Sequence, residues 1–546
     1  MTALAQAPSV VGTDRHGPLT GTGRLTRFAL RRDRIRIPAW ALGIAGLIGY
    51  FSVAIPAVYP DAAALQTRAD IMRDPSGAMM TGPGYGLDDY TFGVMLANEM
   101  LGMIAVGTAL MSIFLVVRHT RAEEETGRSE LLRAGVVGRH APLTAALLAV
   151  LVANVAVAAV LMAVLLGNDL PTADSLAFVS AVALVGLVFG AVAAVTAQLG
   201  EHARSASGTA GAVLGLAYVL RGVGDAQQSG GSTLSWLSPI GWAQQTRVFV
   251  DLRWTPLLLC VGLTAVLVVL AYRLSDRRDV GAGLVAARRG RADAPTSLLN
   301  PVGLGLRLER AGIIGWSVGL FVFAVLTGSM AEAIATSMEE QPELARVFGA
   351  LGQDVLLVMM AAFLGFFAMA VAVYAVTSVN RLRREEGEGR TGALLATPLS
   401  RVTWVLSAVA VTAVGSTVLL LVSGFGLGVG AAGVLGRPEM TWDFTVAALA
   451  YLPVVLCFAG LAVVGNGVRG LGTWWVWLLL VASILVGLYG PLLNLPQSVL
   501  DVAPFGLVPA VPGAALDVAP LAWMALVAGV LVAAGTAAFR RRDLTA

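Results

Sequence analysis

Apolar residues come in long runs along the chain, separated by short polar stretches. Runs of about 18 or more apolar residues are typical of helices that cross a membrane. Twelve such spans are predicted, and their ranges are 38–59, 90–117, 142–166, 175–199, 206–224, 255–272, 311–330, 354–379, 402–431, 443–468, 474–493 and 520–539. An even number of spans places both ends of the chain on one side of the membrane.

Composition supports the same fold class. Of the 546 residues, 57% are hydrophobic and 13% are charged, and the mean hydropathy is +0.78. A soluble protein of this size carries roughly 25% charged residues. The chain is therefore predicted to be an all-α polytopic membrane protein. Its polar stretches are too short for a large soluble domain, so the lipid bilayer is an expected partner and nucleic acid is not.

The distribution of arginine predicts the orientation in the membrane. Cytosolic loops of membrane proteins carry an excess of Arg and Lys. With the N-terminus inside, thirty Arg lie on the cytosolic side of the twelve spans and seven lie outside. We therefore expect a multi-pass protein of the cell membrane with both termini in the cytoplasm.

The sequence repeats itself once. "LRRDRIRIPAWALG" (Leu30–Gly43) matches "LRLERAGIIGWSVG" (Leu306–Gly319) without gaps, at an offset of 276 residues. A second match, at an offset of 262, joins two segments that we call the charged segments, "RAEEETGRSELLRAG" (Arg121–Gly135) and "RREEGEGRTGALLAT" (Arg383–Thr397). Six spans precede the middle of the chain and six follow it. The two halves are therefore predicted to be parallel six-helix repeats.

The repeats divide the chain into five predicted regions. These are a cytosolic N-terminus with an amphipathic helix at 1–37, a first six-span half at 38–272, a basic cytosolic linker at 273–305, a second helix and six-span half at 306–539, and a cytosolic tail at 540–546. The linker is rich in Ala, Gly and Arg, a composition that is consistent with a flexible tether.

Each charged segment is predicted to contain a short helix at the cytosolic surface. Glu124 and Arg128 are four residues apart in the order that favours an ion pair on a helix, and Glu386 and Arg390 repeat the spacing. Glycine recurs between them, at Gly127 in the first copy. Because Gly costs about 1 kcal/mol inside a helix, we expect the second span to leave the membrane, break near Gly127 and continue as a short surface helix.

An apolar patch follows the charges in both copies. It comprises Leu131 and Leu132 in the first and Leu394 and Leu395 in the second. A solvated loop with mutually neutralising charges is the ordinary interpretation of a single charge run. An apolar patch that recurs in a cytosolic loop instead favours a partner that covers it.

These motifs resemble those of a known family. Arg-x-Glu-Glu, then Gly-Arg and a Leu-rich stretch before the next span is similar to the ABC-2-type permeases, the membrane subunits of ATP-driven exporters, and "EEGEGRTGALLATPLSR" (Glu385–Arg401) matches their loop. The whole chain most resembles the actinobacterial polyketide-antibiotic exporters of the tetronasin-resistance and mycobacterial multidrug type. "LSPIGWAQQTR" (Leu237–Arg247) is a second match, whereas its counterpart "VAPFGLVPAVP" (Val502–Pro512) keeps only the Pro and Gly.

The resemblance implies a type V exporter-like permease architecture and a role for each motif. The charged segments would be coupling helices that dock on two copies of a cytosolic ABC ATPase. Amphipathic elbow helices would precede each half, at Leu25–Trp40 and Leu304–Trp316. Pro239, Trp242 and Pro504 would belong to extracellular re-entrant helices at the exit of the transport path. The residues implied in ATPase coupling are Arg121, Glu123, Glu124, Gly127, Arg128, Leu131, Leu132, Arg383, Glu385, Glu386, Gly389, Arg390, Leu394 and Leu395.

The chain carries no ATP site of the Walker type. All 37 basic residues are Arg, and a phosphate-binding loop of that type needs its Lys. ATP and Mg²⁺ are therefore expected on the partner ATPase, and this chain is expected to bind no cofactor and to have no catalytic residue. The four His are scattered without ligand spacing, which predicts no metal site.

One acidic residue is predicted well inside a span. Glu99 lies beside Asn98, and charged groups at membrane depth usually face protein or water. We expect either a contact for a cationic substrate, or a gating pair, or a hydrogen-bonded Glu near the outer surface. Methionines are candidates for an apolar substrate path, because they suit promiscuous pockets, although they also fill helix interfaces. They are Met95 in the first half and Met359 and Met360 in the second.

Three functions remain open on the residues alone. The first is an ATP-driven efflux permease for hydrophobic antibiotics, drugs or lipid-like compounds. The second is a proton-driven twelve-span drug antiporter, which usually needs several buried ionisable groups. The third is a membrane glycosyltransferase, which needs convergent acids or His that the sequence does not show.

Two glycine runs predict close helix packing. They are "GIAGLIG" (Gly43–Gly49) and "GFGLGVGAAG" (Gly424–Gly433).

Overall fold

The protein was analysed as a computed structural model, which describes residues 17–73, 75–128, 135–279, 281–285, 293–332, 334–335, 355–489, 496 and 503–543. The chain divides into two compact units, Met1–Arg289 and Gly290–Ala546, and the boundary falls inside the region 273–305. Within the described ranges all regular structure is helical and no strand occurs.

The described part of the first unit contains twelve α-helices. Their bounds are α1 Thr22–Arg32, α2 Arg36–Val58, α3 Ala62–Arg73, α4 Pro75–Met80, α5 Phe92–Met95, α6 Leu101–His119, α7 Arg121–Glu125, α8 Ala141–Leu166, α9 Thr172–Leu199, α10 Ala203–Gln227, α11 Pro239–Gln244 and α12 Thr255–Asp276. A π-helical turn, Leu96–Met100, joins α5 to α6. Helix α9 lies in the centre and packs against α6, α8 and α12.

The second unit contains nine further helices in its described part. Their bounds are α13 Pro301–Gly328, α14 Val355–Val379, α15 Arg381–Gly387, α16 Arg390–Leu395, α17 Arg401–Leu435, α18 Glu439–Ala447, α19 Leu452–Gly467, α20 Trp474–Tyr489 and α21 Val518–Arg541. The closest pairs are α13 with α17 and α19 with α21.

The helices confirm the predicted class of polytopic α-helical membrane protein. Eleven of the described helical stretches are long and apolar enough to cross a membrane, including Phe92–Glu125 and Leu356–Gly387. The remaining predicted span, 474–493, is occupied by the shorter apolar helix α20. Residues 490–495 lie outside the described part of the chain.

Of the two glycine runs, one packs closely and the other does not. In α17, a side-chain carbon at Gly428 would lie 2.6 Å from the Cα of Thr441, and one at Gly430 would overlap the carbonyl oxygen of Val325 in α13. These glycines let neighbouring backbones approach. Gly43, Gly46 and Gly49 of α2 have open space where a side chain would be, so the prediction of close packing was wrong for that run.

The segment between the first two spans folds in a way that was not predicted. Helices α3 and α4 contact each other, and α4 packs against α10. Ala69 and Met72 of α3 are buried. Apolar residues at this helical spacing are the sequence signal that could have predicted α3. This hairpin carries Arg68 toward the start of the second span.

Gly430 provides a test of the packing of α13 on α17. We expect Gly430→Ala to lower the free energy of unfolding by about 1–3 kcal/mol, because the new methyl group overpacks a backbone contact. Gly433→Ala, three residues along the same helix and facing open space, should raise it slightly through helix propensity. Denaturant unfolding of the two purified variants measures both effects. Equal effects of the two substitutions would contradict the packing described here.

Candidate functional site

The two charged segments occupy equivalent places in their own units. Helix α6 ends at His119, Thr120 leaves the helical conformation with φ −118° and ψ −89°, and α7 begins at Arg121. The predicted break follows, since Gly127 has a φ of 70° and its counterpart Gly389 a φ of 73°. This left-handed conformation favours glycine. We call the end of each unit that carries its charged segment the basic end.

In the first unit, Glu124 ties the charged segment to the end of α12. Arg278 lies just beyond α12, and its Nη1 and Nη2 donate to the two carboxylate oxygens of Glu124 at 2.8 and 2.5 Å. Arg121 adds a third hydrogen bond to the same carboxylate, at 2.5 Å. Because the Glu124 side chain is only 13% exposed, this bidentate pair is largely shielded from water and stronger than a surface ion pair.

Further polar bonds anchor the two arginines that hold Glu124. The Nε of Arg278 donates to Gln198 near the end of α9, at 2.6 Å. The fully buried guanidinium of Arg121 donates to the carbonyl oxygens of Gly200 (2.7 Å) and Ala282 (2.9 Å). The contacts thus join the charged segment to the ends of α9 and α12.

The second unit repeats this arrangement. Arg542, the residue after α21, donates through Nη1 to Oε1 of Glu386 at 2.8 Å and through Nη2 to Oε2. The side chains are 6% and 14% exposed for Glu386 and Arg542, respectively. Glu386 is the counterpart of Glu124 at the offset of 262. In both units, therefore, a carboxylate of the charged segment forms a bidentate ion pair with an arginine that follows the last helix. We call these two pairs the clamps.

A second repeated contact joins each elbow to the end of the second span of its unit. Asp33 follows α1 and pairs with His119 and, at 3.2 Å, with Arg118. Its counterpart Glu309 in α13 lies 3.4 Å from Arg381. His119 and Arg381 also correspond at the offset of 262. The acid-to-base contact therefore occurs in both units, although the residue types differ.

The ion pairs across the glycine break differ from the predicted ones. Arg390 donates to Glu385 at 2.6 Å, and Arg128 lies 3.9 Å from Glu123. The predicted pairs of Glu124 with Arg128 and of Glu386 with Arg390 were wrong, because the left-handed glycine interrupts the helix on which their spacing depends. The hydrogen bond to Glu385 raises the pKa of Arg390.

The apolar patch of the second charged segment faces its own unit. Leu394 and Leu395 are partly buried and pack against the core of the second unit, so they do not present the uncovered patch that the sequence suggested. Leu131 and Leu132 lie outside the described residues. Arg383 is exposed and lies against Gly472 in the loop between α19 and α20.

A small cavity lies beside the contact between the elbow and the charged segment in each unit. In the first it has a volume of about 80 Å³ and is lined by Phe28, Arg32 and Glu123, among others. In the second the volume is about 60 Å³, and the lining includes Leu308 and Trp404. Close packing is therefore incomplete at the same place in both units.

At the opposite end of the first unit, Glu99 is already paired. Arg68 of α3 donates to its two carboxylate oxygens at 2.8 and 2.5 Å, and the hydroxyl of Tyr90 donates at 2.9 Å. The Glu99 side chain is 4% exposed. Burial would lower the pKa of Arg68, but the bond to Glu99 outweighs it and the pKa is raised. Burial and then the charge of Glu99 raise the pKa of Tyr90.

Most of the other residues predicted in a substrate path are buried. Asn98 accepts a hydrogen bond from the backbone of Tyr85 at 3.0 Å and donates one back at 2.8 Å, so it fixes the preceding loop. Met95 is fully buried. In the second unit Met360 is buried and Met359 is 41% exposed. The role of these residues in a substrate path stays a prediction.

The proposed gate residues lie near the last span of each unit. Pro239 begins helix α11, and Ser238 accepts a hydrogen bond from the Ile240 backbone as its N-cap. Trp242 donates through its indole to the carbonyl of Trp236 at 2.6 Å. Pro504 lies in a turn, without a helix corresponding to α11 among the described residues around it. No group of three or more potential metal ligands occurs in the described part of the chain.

Known proteins with similar sequences cover nearly the whole chain. The family described as "Multidrug efflux system permease Rv1217c, C-terminal domain" matches residues 24–273 and 298–540. The multidrug efflux system permease protein Rv1217c of Mycobacterium tuberculosis is 38% identical over 535 residues, which are 97% of this chain and 96% of that protein. Both charged segments lie within the ranges that the family model matches, and the clamp arginines Arg278 and Arg542 lie just beyond those ranges.

The clamp in the second unit can be tested against a neighbouring glutamate. We expect Glu386→Gln to lower the free energy of unfolding by about 1–3 kcal/mol, because a shielded guanidinium then lacks its counter-charge. Glu388→Gln, on the exposed side of the same segment, should change it by less than about 0.5 kcal/mol. A double-mutant cycle with Arg542→Gln should give a coupling energy of about 0.5–3 kcal/mol, and a value near zero would contradict the clamp.

The pairing of Glu99 predicts a different non-additive result. We expect Arg68→Ala to destabilise the protein more than the double substitution Arg68→Ala/Glu99→Gln, because the single variant leaves a buried carboxylate without its partner. Arg73→Ala is the control, since Arg73 pairs with Asp88, whose side chain is 95% exposed. Thermal unfolding in detergent compares the three. If the double variant were the least stable, Glu99 would not depend on Arg68.

Proposed function

The chain belongs to the family of the multidrug efflux system permease Rv1217c, and from this premise we propose that it is the permease of an ATP-driven exporter. Within a drug efflux system it is the membrane-spanning component. The proposal adds that a separate cytosolic ABC ATPase drives it, with two ATPase copies per chain, and that both termini lie in the cytoplasm beneath the cell membrane.

The subunit that hydrolyses ATP is proposed to be a separate chain. All its basic residues are Arg, whereas a Walker phosphate-binding loop uses Lys to reach the phosphates. ATP and Mg²⁺ would therefore bind to the partner ATPase. The permease would change conformation and select the exported compound, and it would take no part in ATP hydrolysis.

The observation that carries the proposal is the recurrence of the clamp in both units. In a loop whose charges served only to keep it solvated, no shielded ion pair to the last helix of the unit would be expected. Glu124 with Arg278 and Glu386 with Arg542 make this connection twice. A push on either charged segment would therefore reach the last span of the same unit.

The clamps also define two faces of each charged segment, an inner face that contacts its own unit and an outer face that is exposed. Glu124 and Glu386 face the unit, so the residues left to meet a partner are the exposed ones. They include Glu125, Thr126 and Arg128 in the first unit and Glu388, Gly392 and Ala393 in the second. We propose that these outer faces dock on the ATPase, and that the inner carboxylates pass on its movement.

The cavities beside the elbows are consistent with such movement. Rigid interiors are close-packed, and unfilled space lowers the cost of a displacement. We propose drugs as the exported compounds, because the relative is a multidrug efflux permease, and the resemblance to antibiotic exporters favours hydrophobic antibiotics or lipid-like molecules among them.

The alternative is a proton-driven antiporter. It needs buried groups that can gain and lose a proton. Glu99 is held by Arg68, and Asp225 in α10 lies 3.4 Å from Arg221 within a buried pair. Ion pairing of both carboxylates with arginine does not favour proton carriage, so the ATP-driven exporter is preferred.

Cysteines on the two outer faces test the docking proposal. The natural Cys260 and Cys457 are first replaced by Ala, and then Glu125→Cys or Ala393→Cys is introduced in the chain co-expressed with its ATPase. In inside-out vesicles we label each cysteine with a maleimide that carries a benzophenone, which on illumination inserts into a nearby C–H bond. We expect each labelled cysteine to cross-link to an ATPase subunit, with mass spectrometry identifying a subunit that has a Walker loop.

Glu439→Cys is the matched control, because Glu439 is exposed at the start of α18, at the opposite end of the second unit. It should react with an impermeant maleimide only in right-side-out vesicles and form no cross-link. Reaction of Ala393→Cys from the outside would overturn the orientation. Correct labelling without any cross-link to the ATPase would overturn the docking surface.

A further inference from the structure

The exposed face of α1 carries a stripe of arginines. Arg24, Arg27, Arg31 and Arg34 are exposed and follow one another at intervals of three, four and three residues, so they share one side of the helix and of the turn after it. No carboxylate partner is recorded for these four among the described residues, in contrast to Arg32, which pairs with Glu123. The opposite side is buried through Ala29.

This stripe borders a groove between α1 and the membrane span α8. The groove is lined by Thr26, Arg27, Leu30, Arg31, Arg34 and Leu148. Arginines border the groove on the side of α1, and its lining surface is mostly apolar, including Leu148 of α8. An anionic group with an apolar chain attached fits both sides.

The apolar side continues along α8. Leu148, Leu151 and Val155 are exposed, at 38%, 42% and 58%, and their spacing of three and four residues puts them on one face of the span. In a membrane protein such a face contacts acyl chains. Phe28 (58% exposed) and Ile35 (73%) add apolar surface beside the arginines, as in helices that lie in the membrane interface.

We propose that this groove binds an anionic glycerophospholipid, with its phosphate on Arg27, Arg31 and Arg34 and an acyl chain along the exposed face of α8. Guanidinium groups bind phosphate oxygens through pairs of parallel hydrogen bonds. Only the identity of the leaflet, the cytosolic one, rests on the proposed function. A soluble anion would leave the apolar face of α8 uncovered. A protein partner would have to reach into the membrane to cover that face.

The second unit supplies a natural comparison. At the offset of 276, the four positions are occupied by Asn300, Gly303, Arg307 and Arg310, so half of the positive charge is missing. Moreover, α13 is continuous from Pro301 to Gly328, whereas Asp33–Ile35 separate α1 from α2. The lipid site is therefore specific to the first unit.

The test uses purified, delipidated full-length protein in detergent. Phosphatidylglycerol and phosphatidylcholine of equal chain length are added, and retained lipid is counted by native mass spectrometry. We expect the natural chain to retain phosphatidylglycerol preferentially. The variant Arg24→Gln/Arg27→Gln/Arg31→Gln/Arg34→Gln removes all four arginines. In it the ratio of retained phosphatidylglycerol to retained phosphatidylcholine should fall by about fivefold for each arginine that binds phosphate.

Arg307→Gln/Arg310→Gln is the control and should keep the preference. Unfolding temperatures without added lipid confirm that both variants are folded. An unchanged preference in the quadruple variant would overturn the proposal. So would competition by glycerol phosphate alone, which would indicate a soluble-anion site, or loss of ATPase binding with lipid preference intact, which would indicate a protein-docking face. Because lipid retention needs no ATPase, a chain that failed to bind an ATPase could still pass this test.

Discussion

Charge that is taken out of water has to be neutralised, and this constraint organises the basic end of each unit. Glu124 and Glu386 lie at the ends of candidate membrane spans, and each is shielded by the helices around it. An unpaired carboxylate would be costly at such a place. The arginine after the last helix of the unit supplies the counter-charge. The chain thereby closes each unit through its charged segment, and the elbow joins the same cluster through Asp33 or Glu309.

The two units keep the contacts and change the residues that make them. The elbow pair is Asp33 with His119 in one and Glu309 with Arg381 in the other. Elsewhere the units have diverged: the position that corresponds to Glu99 is Ala361 at the offset of 262, so the ion pair with Arg68 has no equivalent there. The arginine stripe of α1 is likewise confined to the first unit. Duplication thus preserved the connection to the charged segments, whereas other features became specific to one half.

Local patterns in the sequence predicted the spans and the glycine break, because apolar runs and a left-handed turn depend on neighbouring residues. The partners of the charges were not predictable in this way. Arg278 and Arg542 lie more than 150 residues from the glutamates that they hold, and no local spacing connects them. The same limit applies to Arg68, which reaches Glu99 only because α3 folds back toward the second span. Spacing alone suggested helical pairs within the charged segments, but the glycine conformation removed them.

The central claim is that the clamps pass movement of the charged segments to the last span of each unit. The most direct measurement is drug-stimulated ATP hydrolysis by the assembled complex in liposomes, with Glu386→Arg, Arg542→Glu and the two changes combined. The account predicts that each single change abolishes stimulation while basal hydrolysis persists, and that the charge-swapped pair regains it. Full stimulation in both folded single variants would contradict the claim.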